Sequence, residues 1–251
     1  QTGLGYSARA ARRERHRPDR LPGMAAAAGG EAVCDVLHVA ARLLYPNPVC
    51  LLGTVGPEGV PNFMTVSWLT CIDNDGSVFL SVNERRCSAA NLLASRRLCL
   101  SVAVDGMQSL LVAVGSCHGA QEGLPKSEAL GIDCCLPGWA GEWAAEGGPP
   151  AAVCGAAHVV VEVASVDTQA GHHRIVGTIA GAWVRRSMWA GRTYAVAAEG
   201  GHSDASELCG SPHDEAADAQ PRGLLTFLGS RRFGVVRPAA APRKPGSDKR
   251  A

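Results

Sequence analysis

Short runs of apolar residues, spaced as β-strands require, dominate the pattern of hydrophobic and polar positions along this chain. Residues 49–55 form one continuous apolar run, and residues 62–72 are rich in Val, Thr, Phe and Trp. Residues 77–83 alternate between apolar and polar positions after a turn signal at residues 73–76. This pattern predicts a buried strand followed by a β-hairpin.

Helical spacing of apolar residues occurs in three segments. Residues 31–44 repeat apolar positions every three or four residues and stop before two prolines. Residues 87–95 predict a short helix with Ser88 as its N-cap. Residues 107–114 predict a further helix.

The second half of the chain returns to strands. Strands are expected at residues 98–104, 158–166, 174–184, 224–228 and 233–236. Residues 119–157 are rich in Gly and Pro and predict a long loop with Trp139 and Trp143, whereas the polar residues 199–222 predict a flexible insertion. Since hairpin-joined strands dominate, we expect a mainly β fold, an antiparallel barrel with a few flanking helices.

Charge is distributed unevenly, although the formal net charge is only +1. Residues 1–23 carry six arginines against two acidic residues, and residues 237–251 carry five basic residues against one. Without interleaved aromatics, these ends favour solvated tails over a nucleic-acid surface. We therefore expect a disordered basic leader at residues 1–30, one domain at residues 31–236 with an insertion at 199–222, and a disordered basic tail.

Several classes of protein are disfavoured. No apolar run approaches the ~18 residues of a membrane-spanning helix. The ten cysteines include no Cys-x-x-Cys pair, which favours reduced thiols in a cytoplasmic protein. His202, Cys209 and His213 lie close together, but their spacing matches no zinc pattern, so no metal is expected. The sequence also lacks a hydrolase nucleophile elbow, a Walker loop and a dinucleotide-binding glycine motif.

One segment carries a more specific pattern. Residues 62–68 read Asn-Phe-Met-Thr-Val-Ser-Trp, and a strand ending at Asn83 leads through Arg85 and Arg86 to Ser88 before a helix. This order resembles the flavin reductase-like family of FMN-binding split barrels, in particular its flavoredoxin-like branch.

The resemblance extends over most of the chain, from about residue 45 to residue 236. It includes a Gly-containing segment with Lys126, a late strand beginning at His172 and a closing element at residues 224–234. The chain departs from the family pattern at two places. At His118 the family has serine, and around Lys126 the family has Asp-Lys-Phe where this chain has Pro-Lys-Ser.

The resemblance implies an antiparallel split β-barrel that binds FMN, as a homodimer with the flavin near the subunit interface. The cofactor contacts that it implies are Asn62, Thr65, Val66, Ser67, Trp68, Ser81, Asn83, Arg85, Arg86, Ser88 and Asn91. NAD(P)H is the implied hydride donor, and His172 or His118 is the residue expected to orient the nicotinamide.

Physical chemistry supports the phosphate part of this hypothesis independently. A phosphate group favours backbone N–H groups at a helix N-terminus together with a guanidinium. Arg86 and Ser88 offer both, and Arg85 is a second candidate. By resemblance, the backbone of residues 65–67 would pair with the pyrimidine edge of the flavin and Trp68 would pack against its rings, while polar residues on the next strand would bond the ribityl hydroxyls.

Each of these residues also has an ordinary structural interpretation. By themselves, Arg85 and Arg86 are typical of a solvated surface pair, Ser88 of a helix cap and Trp68 of a core residue. Three functions therefore remain open: an NAD(P)H-dependent flavin reductase, a non-catalytic FMN-binding or electron-transfer flavoprotein, and a barrel that has lost flavin and serves as an interaction module. The altered segment at residues 118–127 motivates the second.

Overall fold

Strands joined by short turns make up most of the structure. The computed structural model describes residues 47–119, 123–189, 194 and 223–236, all of which lie in one compact unit, Ala41–Ala251. The strands are β1 Asn47–Pro48, β2 Cys50–Val55, β3 Pro61–Val66, β4 Leu69–Cys71, β5 Ser77–Asn83, β6 Arg97–Val102, β7 Cys134–Cys135, β8 Ala151–Ala152, β9 Ala157–Gln169, β10 His172–Val184, β11 Leu224–Gly229 and β12 Arg232–Val236. The helices are α1 Cys87–Ser95, α2 Gln108–Ser116 and α3 Lys126–Ala129, with 3-10 turns at Pro57–Gly59, Pro137–Trp139, Ala145–Gly147 and Arg186–Met188.

Seven strands form one antiparallel sheet in the order β3-β2-β6-β9-β10-β5-β4. β9 and β10 form its longest hairpin, and their register shifts between Val176 and Gly177 and again between Ile179 and Gly181. Such irregularities bend strands, and the sheet curls into a half-barrel. β11 and β12 form a separate hairpin to which β1 adds, and β7 pairs with β8. The predicted mainly β, antiparallel split barrel with flanking helices is confirmed.

Each face of the curled sheet buries its own apolar side chains. In β2, Cys50 and Leu52 contribute to one core together with Leu92 of α1, whereas Leu51 contributes to the other together with Leu111 of α2. Successive strand side chains point to opposite faces, so α1 and α2 pack on opposite sides of β2. These two helices frame the region described below.

Two predicted elements are confirmed with unchanged bounds, the strand at residues 77–83 and the helix at residues 87–95. Most of the other predicted strands and the α2 helix are present with ends shifted by one to three residues. The predicted helix at residues 31–44, the insertion at residues 199–222 and both basic tails lie outside the described residues.

Three local predictions are wrong. The strand predicted over residues 62–72 is interrupted between Val66 and Leu69. Ser88 is not an N-cap: Arg86 has the extended backbone of the capping position, and no side chain caps the helix there. The stretch of residues 167–173, which lies between the strands predicted at residues 158–166 and 174–184, is mostly strand with a two-residue turn, because β9 and β10 remain paired as far as Gln169 and His172.

The segment predicted as a long loop, residues 119–157, is anchored in its described part by a buried histidine. Nδ1 of His158 accepts a hydrogen bond from the Gly138 amide at 3.1 Å, and Nε2 donates to the Ala152 carbonyl at 3.0 Å. The Trp139 ring lies 3.9 Å from the imidazole, centroid to centroid. Burial lowers the pKa of His158 to about 4, so the ring is neutral at neutral pH and both of its nitrogens are bonded.

Candidate functional site

The start of α1 combines helix N–H groups with arginine side chains. Arg85 is exposed and Arg86 half-buried, and both directly precede the first turn of the helix. The first N–H groups of a helix lack intrahelical partners and carry a partial positive charge. The Arg85 amide itself is bonded to the Asn83 side-chain oxygen at 3.0 Å, which fixes the turn between β5 and α1.

The loop that follows α2 closes against this helix start. Nη1 of Arg86 donates to the Gly115 carbonyl at 3.4 Å and lies 3.3 Å from Nε2 of His118. Since a guanidinium only donates, Nε2 of His118 is the acceptor. His118, one of the two histidines expected at the nicotinamide, thus lies beside Arg86 in the structure.

Lys126 is a buried cation on the same side of the molecule. It is only 4% exposed, and its Nζ donates to the carbonyls of Phe63 at 3.0 Å and Cys117 at 2.9 Å, with Val114 at 3.5 Å. Burial is the main cause that lowers its pKa, and the nearby Arg86 charge lowers it further. Two cations therefore lie close together without a carboxylate partner among the contacts that the described residues make.

Three of the expected cofactor contacts lie in a buried hydrogen-bond network instead of at the surface. Asn62 donates to the Ser88 hydroxyl at 2.8 Å, and Asn91 donates to the Thr54 hydroxyl at 3.1 Å. Asn62 also lies within 3.4 Å of Thr54. Ser88 is 1% exposed, so the network fastens α1 to β2 and β3.

A second group of expected residues meets at the ends of β4, β5 and β10. Asn83 is directly opposite His172 in the β5–β10 pairing, and the Ser81 amide donates to the Trp68 carbonyl at 2.9 Å. The rings of Trp68 and His172 lie 5.5 Å apart. Trp68 is 46% exposed, which excludes the interpretation of this residue as core.

The backbone of β3 is accessible because β3 forms one edge of the seven-stranded sheet. The Phe63 carbonyl faces away from β2, since it accepts from Lys126. Backbone groups two residues apart on a strand point to the same side, so those of Thr65 also face outward. The Val66 side chain lies in the core next to α1, and its backbone groups, one residue beyond Thr65, face β2, so the expected contact of Val66 with the cofactor is not at this edge.

An open cavity of about 360 Å³ lies beside this edge of β3. It lies between β3, α2 and the β11–β12 hairpin, and its lining residues are Thr65, Ser67, Leu111, Val112, Gly115, Ser116, Phe227, Arg231 and Phe233. The volume is in the range of cofactor sites. Gly115 lines the cavity and its carbonyl accepts a hydrogen bond from Arg86. Ser67 also lines the cavity and directly precedes Trp68 in the chain.

The fold brings several residues here that the sequence does not predict as site residues. Lys126 belongs to a family-like segment, but nothing in the sequence shows that its neighbours are the end of α2 and β3. Phe227, Arg231 and Phe233 reach the cavity through a hairpin far along the chain. Arg231 has a left-handed backbone, with φ 62°, and no local sequence motif predicts this conformation.

Residues 41–197 match the family model described as the flavin reductase like domain. This stretch is more than half of the chain. None of the curated proteins matches the sequence.

Solved structures share the fold. An FMN-binding protein from Thermus thermophilus, solved with bound p-hydroxybenzaldehyde, superposes with a TM-score of 0.60 at 19% identity, covering 85% of this chain and 98% of that one. Flavoredoxin of Desulfovibrio vulgaris gives 0.57 at 16% identity, covering 80% and 93%. The NADH:FAD oxidoreductase SgcE6 of Streptomyces globisporus gives 0.54 at 17% identity, covering 83% and 99%.

No helix in the described part of the chain is long and apolar enough to cross a membrane. Among the same residues, no group of three or more His, Cys, Asp or Glu side chains could hold a metal ion. His202, Cys209 and His213 lie outside the described residues.

Proposed function

The chain belongs to the flavin reductase-like family, and from this premise we propose that it binds FMN and reduces it with NAD(P)H. The observation that carries the proposal is the meeting of Arg86, Lys126 and the N-terminus of α1 next to the cavity beside β3. A helix start with two nearby cations suits a phosphate, and an apolar cavity with an exposed strand edge suits a planar ring.

At the phosphate end, Arg86 and the first N–H groups of α1 would bind the anion directly. Arg85, exposed one residue earlier, would add charge. Lys126 donates hydrogen bonds to the Val114 and Cys117 carbonyls at the end of α2. Its ammonium group would add positive charge near the anion. An anion here would relieve the repulsion between Lys126 and Arg86.

At the ring end, the outward-facing backbone groups of Thr65, together with those of Ser67 just after β3, would pair with the pyrimidine edge of the flavin. Phe227 and Phe233, whose rings lie 5.7 Å apart, give the cavity an aromatic wall. The exposed Trp68 would cover the rings. These roles use strand geometry and aromatic packing instead of charge.

Between the two ends, Ser81 and Asn83 would serve the ribityl chain from the strand leading to α1. Asn62, Ser88 and Asn91 would act differently from the expectation. Their side chains bond within the buried network, so we assign them the role of positioning α1.

Bound FMN supplies hydride acceptance and one-electron chemistry, and the protein supplies position and electrostatics. Nδ1 of His172 donates to the Ala170 carbonyl at 3.3 Å, which leaves Nε2 as an acceptor beside Trp68. His172 is therefore our candidate for orienting the nicotinamide. His118, bonded to Arg86, is not.

Cysteine protection tests where the cofactor binds. Cys87 opens α1 and is exposed, and Cys71 in β4 is a matched exposed thiol away from the helix start. FMN should slow iodoacetamide alkylation of Cys87 by about tenfold or more, the shielding expected of a bound ligand, and leave Cys71 unchanged. If FMN binds and Cys87 is not protected, the proposed location is wrong.

A second function is favoured by the position of His118. Because this residue lies with Arg86, only His172 remains of the two histidines expected at the nicotinamide, which fits an electron-transfer flavoprotein without its own pyridine-nucleotide site. Anaerobic addition of NADPH and NADH to the FMN-loaded protein separates the two. Bleaching of the flavin absorbance by either nucleotide supports the reductase, and bleaching by dithionite alone supports the alternative.

We also propose a cytoplasmic homodimer. All the cysteines that the structure describes are free thiols, which suits a reducing compartment. Two-fold dimers are the commonest assemblies of soluble proteins. Sedimentation at two protein concentrations would test the dimer, and a single monomeric species would contradict it.

A further inference from the structure

The turn between β11 and β12 holds an arginine in a backbone conformation that favours glycine. Ser230 and Arg231 form this two-residue turn, with φ of 49° and 62°, and Gly229 pairs with Arg232 across it. Hairpin turns with positive φ at both positions usually take Asn-Gly or Gly-Gly. Glycine would adopt this φ without the steric cost that arginine has there. Strain of this kind is concentrated at functional sites, so the Arg231 side chain is a candidate for a function.

Arg231 lines the cavity beside β3, and it alone is charged among the described residues that do so. Hydroxyl groups in the same lining are already engaged within the protein. The Thr65 hydroxyl donates to the Leu111 carbonyl at 2.6 Å, and the Ser116 hydroxyl donates to the Val112 carbonyl at 2.8 Å. The Arg231 guanidinium is therefore the strongest side-chain donor that this lining offers to a ligand.

No carboxylate forms an ion pair with Arg231 among the residues that the structure describes. The ion pairs between those residues are Arg97 with Glu162 and Arg174 with Asp167, all on the seven-stranded sheet. A guanidinium is not deprotonated in proteins. The described lining of the cavity thus combines one lasting positive charge with apolar and aromatic walls, and it favours a planar ligand that carries a negative charge.

A flavin ring meets this requirement in only one of its redox states. Transfer of a hydride from NAD(P)H to N5 of the neutral oxidised ring gives NAD(P)⁺ and a reduced ring with one negative charge on its pyrimidine part. No other proton or electron is needed to balance this step. In the proposed function, the pyrimidine edge pairs with the backbone of Thr65, which lines the same cavity as Arg231. Charge near this part of the ring is one means by which proteins tune a flavin.

We propose that Arg231 stabilises the reduced, anionic flavin and so raises the reduction potential of bound FMN. The inference rests on the proposed function, because it requires the flavin ring to lie in the cavity. It gives Arg231 a role that differs from that of Arg86. Arg86 would bind a phosphate whose charge is the same before and after reduction, whereas Arg231 would pair with a charge that arises only on reduction. An interaction present in one state alone shifts the equilibrium towards that state.

The experiment compares the affinity of the full-length protein for oxidised and for reduced FMN. Fluorescence quenching gives the affinity for oxidised FMN, and anaerobic titration of bound FMN against a reference dye gives its midpoint potential. Arg231→Gln should lower the preference for reduced FMN about tenfold, which corresponds to about 30 mV for a two-electron couple. It should change the affinity for oxidised FMN by less than about threefold, because that ring is neutral. Arg231→Lys keeps the charge and should retain most of the preference.

Two further variants separate the charge of Arg231 from the conformation of the turn. Arg232→Gln removes the neighbouring exposed arginine, which lies outside the described cavity lining, and should leave the midpoint potential unchanged. Arg231→Gly removes the same charge as Arg231→Gln but introduces the residue that the left-handed backbone favours. It should lower the potential by the same amount, while the protein stays at least as resistant to urea as the wild type.

Each result supports the inference or overturns it. A midpoint potential that neither Arg231→Gln nor Arg231→Gly changes overturns the role of Arg231, while FMN binding itself leaves the proposed function intact. Equal weakening of oxidised and reduced FMN also overturns it, since Arg231 would then contribute to affinity alone. An equal shift in Arg232→Gln overturns it in favour of a general charge effect of the hairpin. If the wild type binds no FMN, the proposed function is overturned, and this inference with it.

Discussion

The two ends of the proposed flavin site are built by different means. At the phosphate end, side chains are fixed before any ligand arrives: Lys126 by three carbonyls, and Arg86 by Gly115 and His118. At the ring end, Trp68 is nearly half exposed and the recognition elements are a strand edge and an open cavity. We infer that the phosphate end supplies most of the affinity and the ring end most of the chemistry.

The two ends also differ in how far they follow the family pattern. His118, where the family has serine, lies beside Arg86 at the phosphate end. The segment at residues 62–68, which follows the pattern, lies at the proposed ring end.

The largest expected effect is a pH dependence of stability, and it comes from His158, which lies outside both ends of the site. Folding stabilises the neutral form of His158, because the pKa of its imidazole is about 4 in the folded state and about 6.5 in the unfolded state. The resulting contribution to the free energy of unfolding is fully present above pH 6.5. It is lost as the pH falls towards 4, by about 3 kcal/mol in total. Urea unfolding between pH 7.5 and 4.5 should show this slope in the wild type and a shallower one in His158→Gln. Equal slopes would contradict this assignment.

Removal of Arg86 should separate the two ends most clearly. Arg86→Ala is expected to weaken FMN binding by about 100-fold, because a charge-assisted bond to phosphate is worth about 1.5–3 kcal/mol. Riboflavin, which has no phosphate, should bind as it does to the wild type. Leu93→Ala on the exposed side of α1 is the matched control. A parallel loss of riboflavin binding would mean that Arg86 holds the fold and not the phosphate.

Lys126 tests whether the phosphate end is fixed in advance. Lys126→Met keeps the aliphatic length but leaves the Phe63 and Cys117 carbonyls without their donor, which should cost about 2 kcal/mol of unfolding free energy. Chemical denaturation measures this loss. Unchanged stability together with weakened FMN binding would show that the ammonium serves the ligand alone.

Removal of the Trp68 side chain should give the smallest effect. In contrast to removal of Arg86, it should weaken the binding of FMN and riboflavin alike. Since Trp68 is nearly half exposed, Trp68→Ala should change the free energy of unfolding by less than about 0.5 kcal/mol. Flavin affinity should fall only about fivefold, equally for FMN and riboflavin, as expected for one aromatic packing contact. A loss confined to FMN would remove the distinction between the two ends.

Sequence alone predicted the elements whose pattern is local. The alternation in β5 and the compact apolar run of α1 determine both without help from the rest of the chain. The break at Ser67 and Trp68 was missed, because a strand-forming composition continues through it while the backbone changes partner. Ser88 was misassigned as a cap because its hydroxyl finds Asn62, 26 residues away, instead of a helix amide.

The residues of the proposed site can be named from the sequence where a local motif contains them, and not where only the fold brings them together. Arg85, Arg86, Ser81 and Asn83 follow one another along one hairpin and helix, so their meeting was expected from order alone. Lys126 is charged and would be expected at the surface, and only the packing of α3 against β3 explains its burial. The position of His118 beside Arg86 likewise depends on how α2 crosses the sheet.

The central claim is that the start of α1 binds the phosphate of FMN, and one titration tests it most directly. FMN and riboflavin differ only by that phosphate, so their affinities for the wild-type protein isolate its contribution. We predict that FMN binds about 100-fold more tightly than riboflavin, and that added salt narrows the gap. Equal affinity for the two flavins, or no binding of either, would contradict it.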